Sequence, residues 1–334
     1  YRVVATDPIE IDTTAISFES ITIDDDGSVA VQYEGAGSAA LNLHDYIEDD
    51  GSYNLMGFVP QNLKSAIRDL TSTTDISSYF QDAVDTDRRI RLPRGKFVIA
   101  TPVNPTQAGV IGESSKFTRI VCDTCHAFEI PSGSGWDRPA GVFANFAVDS
   151  DDGTSCDAKF AFYAPGVASG AAAVYNSGLT VRDVEIGRNN RMGGGFYLKD
   201  FFRANVQDVG LTNVSRMIQL VGSVVQCSFR NVKSNNDSAG TTLSRYGLST
   251  ETATYSGAAV LTPEAISFDE CAFIRGERGI SHLAGLSISF NFFDCEAETY
   301  GALLNAPCKM TKGIIGSSPA ATAWTGVFFG VSPE

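Results

Sequence analysis

Acidic side chains are densest in two short segments of similar sequence, SFDECAF at 267–273 and FFDCEAE at 292–298. Glycoside hydrolysis uses one protonated carboxyl as acid and one ionised carboxylate as base or nucleophile, about 5 Å apart for retention and about 6.5–9.5 Å apart for inversion. The two segments therefore predict a carboxylate pair of this kind, if the fold brings them together. The candidate catalytic residues are Asp269, Glu270, Asp294 and Glu296.

Both segments belong to a repeat, which is clearest in TVRDVEIG at 180–187 and NVQDVGLT at 205–212. A polar anchor residue recurs at intervals of 38, 25, 23, 39 and 24 residues, and the residues two before and one after each anchor are apolar. The anchors are Asn145, Asp183, Asp208, Asn231, Glu270 and Asp294. Self-similarity with a period of about 20–50 residues indicates a solenoid.

A coil of short strands with apolar residues inward and a polar corner predicts an all-β, right-handed parallel β-helix, a single-stranded solenoid. Equivalent residues of neighbouring coils then stack at about 4.8 Å, and residues two coils apart at about twice that distance. Asn and Asp at the corner are explained by hydrogen bonds to the bent backbone.

Alternatives to catalysis stay open for each of the four acids. Glu270 and Asp294 occupy the corner column, where a structural hydrogen bond accounts for them. Asp269 and Glu296 are expected to point outward, where many acids are only solvated. Cys271 and Cys295 are expected to stack in the core as small apolar residues.

The chain is expected to have three parts. They are a small β-rich module at 1–58, a helical linker and cap at 59–88, and the β-helix at 89–334 with insertions near 153–176 and 234–262. In the cap, Ile76, Phe80 and Val84 have helical spacing, which predicts a helix over 75–86 that covers the open end of the first coil. Asp75 is placed to cap this helix.

The net charge of −14 repels phosphate backbones, so nucleic acid is not expected as a partner. No apolar run approaches the roughly 18 residues of a membrane helix, and membrane insertion is not expected. Seven cysteines, an odd number, do not indicate a secreted disulfide framework. The CxxC pair Cys122 and Cys125 lacks a second cluster at zinc spacing, so neither a metal nor a cofactor is predicted.

A second polar strip is expected from outward side chains that could hold charged sugars, namely Arg182, Glu185 and Arg230. Aromatic rings in loop-like segments can stack on sugar rings. The candidates of this kind are Trp136, Tyr246 and Tyr255. Loop aromatics serve equally well in subunit contacts, so both roles stay open.

The segments IRLPRGKFVIATP and GVIGESSKFTRIV, preceded by a capping helix and followed by coils, resemble the opening of the pectate-lyase-like β-helix superfamily, in particular bacteriophage tailspike proteins. The resemblance covers about 60–310. The matching residues are Leu92, Pro93, Gly95, Phe97 and Ile99, then Ile111, Gly112, Glu113, Thr118 and Ile120.

The resemblance implies a homotrimer in the virion tail, synthesised in the host cytoplasm, that binds a bacterial capsule or O-antigen and depolymerises it, by hydrolysis in preference to a lyase reaction. It also implies that 1–58 attaches to tail or baseplate proteins. A non-catalytic glycan-binding adhesin and a structural tail component are the alternatives. The chain ends at AATAWTGVFFGVSPE without a clear trimerisation domain, so we expect it to be a fragment.

Overall fold

Short parallel strands, stacked coil on coil, form most of the protein. The computed structural model describes residues 18–23, 29–33, 41–42, 51–105, 109–131, 141–151, 158–166, 176–188, 192–235, 246–254, 260–317 and 325–329. The helices are α1 (Leu55–Phe58), α2 (Gln61–Arg68) and α3 (Ser77–Val84). The strands are β1 (Phe18–Ile23), β2 (Val29–Tyr33), β3 (Leu41–Asn42), β4 (Tyr53–Asn54), β5 (Ile90–Leu92), β6 (Gly95–Ile99), β7 (Val110–Gly112), β8 (Thr118–Cys122), β9 (Phe128–Glu129), β10 (Val142–Ala144), β11 (Ala147–Asp149), β12 (Phe160–Ala164), β13 (Asn176–Ser177), β14 (Thr180–Ile186), β15 (Met192–Lys199), β16 (Phe201–Phe202), β17 (Asn205–Thr212), β18 (Val214–Val221), β19 (Ser228–Asn235), β20 (Tyr246–Glu251), β21 (Ala253–Thr254), β22 (Val260–Leu261), β23 (Glu264–Asp269), β24 (Ala272–His282), β25 (Leu286–Asn291), β26 (Asp294–Leu304), β27 (Cys308–Thr311), β28 (Ile314–Ser317) and β29 (Thr325–Phe329).

Three parallel sheets run along the β-helix. Sheet 1 consists of β4, β5, β7, β10, the first halves of β14, β17 and β19, and β23, β25 and β27. Sheet 2 consists of β6, β8, β11, the second halves of β14, β17 and β19, the first halves of β24 and β26, and β28. Sheet 3 consists of β9, β12, β15, β18, β20, the second halves of β24 and β26, and β29. The predicted parallel β-helix is therefore confirmed.

Two columns of bends in the left-handed backbone conformation border sheet 1, and five of its described segments have a bend on both sides. The first column of bends contains Gly178, Arg203, Gln226, Ala265 and Ser287, with φ of 86, 61, 55, 54 and 54°. The second, here called the corner column, contains Asn145, Asp183, Asp208, Asn231, Glu270, Phe292 and Lys312, with φ of 61, 54, 54, 51, 55, 49 and 54°. Asn and Asp tolerate this conformation better than other residues with a side chain, which explains why the sequence repeat shows them there.

The prediction that Asp294 lies in the corner column is wrong. Phe292 is the residue in line with Glu270, and Asp294 follows two residues later, in β26, opposite Ala272. The coil from Glu270 to Phe292 is thus 22 residues long (292 − 270). A bulky aromatic residue is rare at a left-handed bend, so a search for a polar anchor passes over it to the next acid.

The prediction that Cys271 and Cys295 stack on each other is wrong for the same reason. Cys295 pairs with Phe273, two residues beyond Cys271. Both thiols are nevertheless buried, and each donates to a backbone carbonyl, Cys271 to Phe229 at 3.4 Å and Cys295 to Gly301 at 2.9 Å. They fill the core as small residues, as expected, but at different positions of their coils.

Each of the two segments predicted to be insertions contains a strand of sheet 3. Residues 153–176 include β12 and residues 234–262 include β20, and their side chains Phe162 and Leu248 are fully buried. The extra residues of these coils therefore lie on either side of a core strand. β4, which lies inside the segment 1–58, pairs with β5 of the β-helix. The three-part division of the chain stays a prediction.

The interior is a column of side chains repeated at the coil spacing. Phe128, Phe162 and Phe196 form one file of rings, with centroids 5.5 and 5.2 Å apart. A second file, formed by Phe229, Phe268 and Phe290, has both separations at 5.0 Å. Stacked rings contribute about 0.5–1.5 kcal/mol per pair beyond the area that they bury.

The capping helix α3 begins at Ser77 and ends at Val84, inside the predicted 75–86. Phe80 is fully buried and meets Phe128 edge-on at 6.1 Å, so the helix covers the first coil. Asp75 accepts hydrogen bonds from the backbone N–H groups of Ser77, at 2.9 Å, and Ala100, at 3.0 Å. It thus ties the start of the helix to the end of β6. β1, β2 and β3 form a separate antiparallel sheet.

Candidate functional site

The four acids predicted to be catalytic lie on adjacent coils near the bend between sheets 1 and 2; we call them the acid corner. Asp269 ends β23 and accepts a hydrogen bond from Asn291 at 2.7 Å, while Glu270 is exposed at the bend. Asp294 and Glu296 lie two residues apart on β26, so their side chains share one face and their Cα atoms are about 7 Å apart. Oδ1 of Asp294 is buried and has no hydrogen-bond partner among the described residues.

The predicted strip of charged residues is divided between two sheets. Arg182 and Arg230 lie two coils apart on the outer face of sheet 1, both opposite Gln207. Glu185 lies around the bend on sheet 2, where its carboxylate covers Gly210; a Cβ added at that glycine would come 2.3 Å from Oε2. Burial raises the pKa of Glu185, and Arg188 opposes this.

Tyr246 is not in a loop, as the sequence suggested, but at the start of β20 in sheet 3. It is half-buried, and its neighbours on the adjacent coils are Arg216 and Arg278. Trp136 and Tyr255 lie outside the described residues.

The outer face of sheet 3 carries aromatic and polar side chains on successive coils. We call this surface the tyrosine–arginine strip; it consists of His126, Tyr163, Tyr197, Arg216, Gln219, Tyr246, Ser249, Glu251, Arg278 and Tyr300. The residues that face inward on the same strands, such as Phe196, Ile218 and Leu248, are fully buried. The period of two residues in a strand separates the core from Tyr197, Gln219, Ser249 and Glu251. It does not account for Arg216, Tyr246, Arg278 and Tyr300, which lie at the start of sheet 3, two residues before the buried Ile218, Leu248, Ile280 and Ala302, and are nevertheless only partly buried.

Arginine and tyrosine alternate in one register column of the strip, in the order Arg216, Tyr246, Arg278, Tyr300. The Cζ of Arg216 lies 5.7 Å from the ring centroid of Tyr246, and the Cζ of Arg278 lies 5.7 Å from that of Tyr300. Both guanidinium groups therefore lean over the ring of the next coil, within the range of a cation–π interaction.

A carboxylate borders this column. Oε1 of Glu251 accepts hydrogen bonds from Gln219 Nε2 at 3.1 Å and from Ser249 Oγ at 2.8 Å. Within the described part of the chain, no hydrogen bond reaches Oε2, and Oε1 of Gln219 is buried without a partner. Glu251 is therefore held in place by one oxygen while the other is available to a ligand.

The N-terminal end of the strip is a file of rings. His126 stacks on Tyr163 with centroids 3.8 Å apart, and Tyr163 lies 5.0 Å from Tyr197. His126 Nδ1 accepts the backbone N–H of Phe160 at 2.9 Å, so the neutral ring carries its proton on Nε2. Burial, aided by Lys159, lowers the pKa of His126 to about 4.

Three phenols of the strip, those of Tyr163, Tyr197 and Tyr246, stay protonated at neutral pH. Burial raises the pKa of Tyr197 to about 12, with Tyr163, Glu251 and Asp200 adding to the effect. Burial also raises the pKa of Tyr163, helped by Glu129. For Tyr246, burial raises the pKa against the opposing charges of Arg216 and Arg278. These hydroxyls can therefore donate hydrogen bonds, or a proton to a departing oxygen.

Arg216, Glu251 and Arg278 were not among the residues that the sequence predicted. A usable signal was present, because Arg216 and Arg278 each follow a residue of the corner column, Asp208 and Glu270, by eight residues. Tyr246, in contrast, follows its corner residue by fifteen. A search at fixed spacing therefore cannot align the column.

Two further classes of site were checked on the described residues alone. There, no group of three or more His, Cys, Asp or Glu side chains is arranged to hold a metal ion. In the same ranges, no helix has the length and apolar character needed to cross a membrane.

No protein-family model and no curated protein sequence matches the chain. Among solved structures, the A-module of the mannuronan C-5 epimerase AlgE4 from Azotobacter vinelandii has a TM-score of 0.52 at 15% identity, covering 80% of this chain and 79% of that chain. The AlgE6 A-module of the same organism has a TM-score of 0.51 at 15% identity, covering 83% and 79%. The tailspike protein of Acinetobacter baumannii phage AM24 has a TM-score of 0.37 at 12% identity, covering 88% and 51%. At 15% identity the two A-modules show a likeness of fold alone, and the β-helix expected from the sequence is confirmed at that level.

Proposed function

We propose that the protein is a phage tailspike that binds a bacterial surface polysaccharide, a capsule or O-antigen, along the tyrosine–arginine strip and cleaves it. The observation that carries the proposal is the alternation of half-buried tyrosine and arginine on adjacent coils of one outer face. Aromatic rings stack on the apolar faces of sugars, and guanidinium, amide and hydroxyl groups bond their oxygens.

The length of the strip supports a polymeric ligand. From His126 to Tyr300 it follows seven strands of sheet 3, which is six steps of about 4.8 Å or about 29 Å. Its groups repeat along the axis instead of converging on one deep cavity. A chain of sugars lying along the β-helix axis would meet a similar set of groups at each coil.

Cleavage at the strip would use Tyr246 and Glu251. The phenol of Tyr246 is protonated at neutral pH because burial raises its pKa, so it can supply a proton to the leaving oxygen. Glu251, fixed by Gln219 and Ser249, can accept a proton or orient a water.

The acid corner is the competing location for the chemistry. Asp294 and Glu296 have about the spacing that an inverting hydrolase needs, and the unpartnered Oδ1 of Asp294 favours a role other than a structural hydrogen bond. The proposal also includes a homotrimer and the attachment of residues 1–58 to virion tail proteins; both follow from the sequence resemblance.

The experiment is to incubate the purified protein with capsule and lipopolysaccharide from a panel of bacteria and to analyse soluble products by mass spectrometry. Oligosaccharides that gain water indicate a hydrolase, and products with an unsaturated uronate indicate a lyase. Glu251→Gln and Tyr246→Phe test the strip, and Asp294→Asn and Glu296→Gln test the acid corner in the same assay.

Loss of product with the first pair, and not with the second, supports cleavage at the strip; the reverse result moves the chemistry to the acid corner. Binding to a host glycan without release of product leaves the non-catalytic adhesin as the function. If no polysaccharide in a panel that includes the natural host is bound, the proposed function is wrong.

A further inference from the structure

We infer that the polysaccharide carries an acidic sugar whose carboxylate is bound by Arg216 and Arg278, on either side of the ring of Tyr246. This inference rests on the proposed function and adds the chemical class of the substrate. The observation behind it is that the Nε atoms of both guanidinium groups are buried without a hydrogen bond among the described residues.

Arg216 is half-buried, yet none of the described carboxylates lies within salt-bridge distance of it. Its Nε is buried and, among the same residues, makes no hydrogen bond. Arg278 is partly exposed, and its Nε makes no hydrogen bond among these residues; it has one long ion pair, at 3.9 Å, with Oε1 of the adjacent and equally exposed Glu277. A partly buried cation without a counter-charge costs free energy, which a bound anion would recover.

Two sheltered cations elsewhere on the described surface are paired. On sheet 2, Lys96 contacts Asp151 at 2.5 Å, and Arg119 lies 3.3 Å from the buried Asp149. The chain has an excess of acids, with a net charge of −14, so internal partners are plentiful. Arg216 has no such partner among the described residues and Arg278 has only the long contact with Glu277, and both border the same tyrosine.

The geometry suits a planar acid group. Register places Arg216 and Arg278 one coil before and one coil after Tyr246, so their Cα atoms are about 9.6 Å apart. Guanidinium forks bind carboxylates through two parallel hydrogen bonds, and long side chains can close over a group between them. The Tyr246 ring would then support the sugar that carries the carboxylate.

The charge nearby favours a singly charged group. Glu251 lies close enough to Tyr246 to act on its phenol electrostatically. An anion bound between the two arginines would therefore also be near one fixed negative charge. A phosphate dianion would be repelled about twice as strongly as a carboxylate. A sulfate ester is also a monoanion and shares the guanidinium chemistry, so the test must separate it from a carboxylate.

The test compares two forms of the host polysaccharide that the protein binds: the native polymer and a carboxyl-reduced polymer, in which each uronate has become a neutral hexose. Dissociation constants are measured with the wild-type chain, Arg216→Gln, Arg278→Gln and a matched cation control, Lys309→Gln, on sheet 1. Dextran sulfate serves as the sulfated probe. Thermal melting confirms that each variant is folded.

We expect reduction of the carboxyls to weaken binding by about ten- to a hundredfold, the range for hydrogen bonds to a charged group. Arg216→Gln and Arg278→Gln should each lose most of this discrimination, and Lys309→Gln should keep it. Equal binding of native and reduced polymers overturns the inference and leaves the proposed function standing. So does discrimination that survives in both arginine variants, or tighter binding of dextran sulfate than of the native polymer. Failure to bind any polymer removes both proposals.

Discussion

The guanidinium of Arg216 lies over the ring of Tyr246, 5.7 Å from its centroid, although the two residues are 30 positions apart in the chain. The positive charge lowers the pKa of the phenol, but burial has the larger effect, and the net pKa is raised. The ring is thus held between coils with its hydroxyl proton in place. In the proposed function, that combination lets Tyr246 support a sugar through its ring and donate a proton through its hydroxyl.

Replacement of Tyr246 separates these two roles. If the hydroxyl protonates the leaving oxygen, Tyr246→Phe should lower kcat by about a hundredfold or more and change KM little. Tyr246→Ala should also raise KM, because it removes the ring. Rates of depolymerisation measured from new chain ends check this; full activity of Tyr246→Phe would leave the ring as a support only.

Replacement of Phe292 by asparagine should stabilise the protein. Phe292 has φ of 49°, a conformation that costs a residue with a Cβ about 1–2 kcal/mol and that asparagine tolerates better. The substitution also removes the contact between the Phe292 ring and the Lys312 ammonium, which lies 5.1 Å from the ring centroid. This contact contributes about 0.5 kcal/mol to stability at an exposed site. We expect a net gain of about 1 kcal/mol in the free energy of unfolding, measured by denaturant titration.

The reverse exchange is the matched control. Asn231 occupies the same column with φ of 51° and donates from Nδ2 to Asp208 at 2.5 Å. Asn231→Phe should destabilise by about 2 kcal/mol, since it adds backbone strain and removes a hydrogen bond to a charged group. A loss of stability in Phe292→Asn would mean that contacts of the Phe292 ring outweigh its backbone strain.

The free energy of unfolding should decrease on mild acidification, in part because His126 has a lower pKa in the folded protein than in the unfolded chain. Its pKa is lowered to about 4, whereas the unfolded chain has the ordinary value of about 6.5. Between these values the unfolded chain binds a proton that the folded chain does not, so the contribution is complete above about pH 6.5 and is lost as pH falls towards 4. His282, whose pKa burial lowers, acts in the same direction.

Thermal melting from about pH 7 to about pH 4.5 checks this expectation. His126→Gln keeps an acceptor for the N–H of Phe160 and should flatten part of the pH dependence. Most carboxylates titrate below this window, so they contribute little there. An unchanged slope in His126→Gln would show that His126 is not the responsible group.

Truncation of Phe268 should be severe because it interrupts a file of rings. Phe268 is fully buried between Phe229 and Phe290, each 5.0 Å away. Phe268→Ala should cost about 3–5 kcal/mol, and Phe268→Leu, which keeps most of the volume, about 1.5 kcal/mol. Phe117, which is 44% exposed, offers a surface comparison for which alanine should cost less than about 1 kcal/mol. Similar unfolding free energies for Phe268→Ala and Phe117→Ala would contradict the importance of the file.

The β-helix could be predicted because its corners impose a backbone conformation that selects Asp and Asn, as at Asp183 and Asp208. The register failed where Phe292 replaces a polar residue, and with it the positions of Asp294 and Cys295. Arg216 and Arg278 follow their corners by the same eight residues, but Tyr246 follows its corner by fifteen, so the column that joins the three could not be aligned from the sequence. Tyr246 was selected as a loop aromatic, and only the coil pairing places it between the two arginines.

The constant separation of the two bends has a consequence for how such a protein can diversify. The two bends are five positions apart in every one of the five coils that have both, whereas the corner-to-corner length varies from 20 to 39 residues. All variation in length therefore falls on the part of the coil that passes through sheets 2 and 3, where the tyrosine–arginine strip lies. The corners and the tyrosine–arginine strip occupy separable portions of each turn, so the strip can change in one turn while the neighbouring turns keep their alignment.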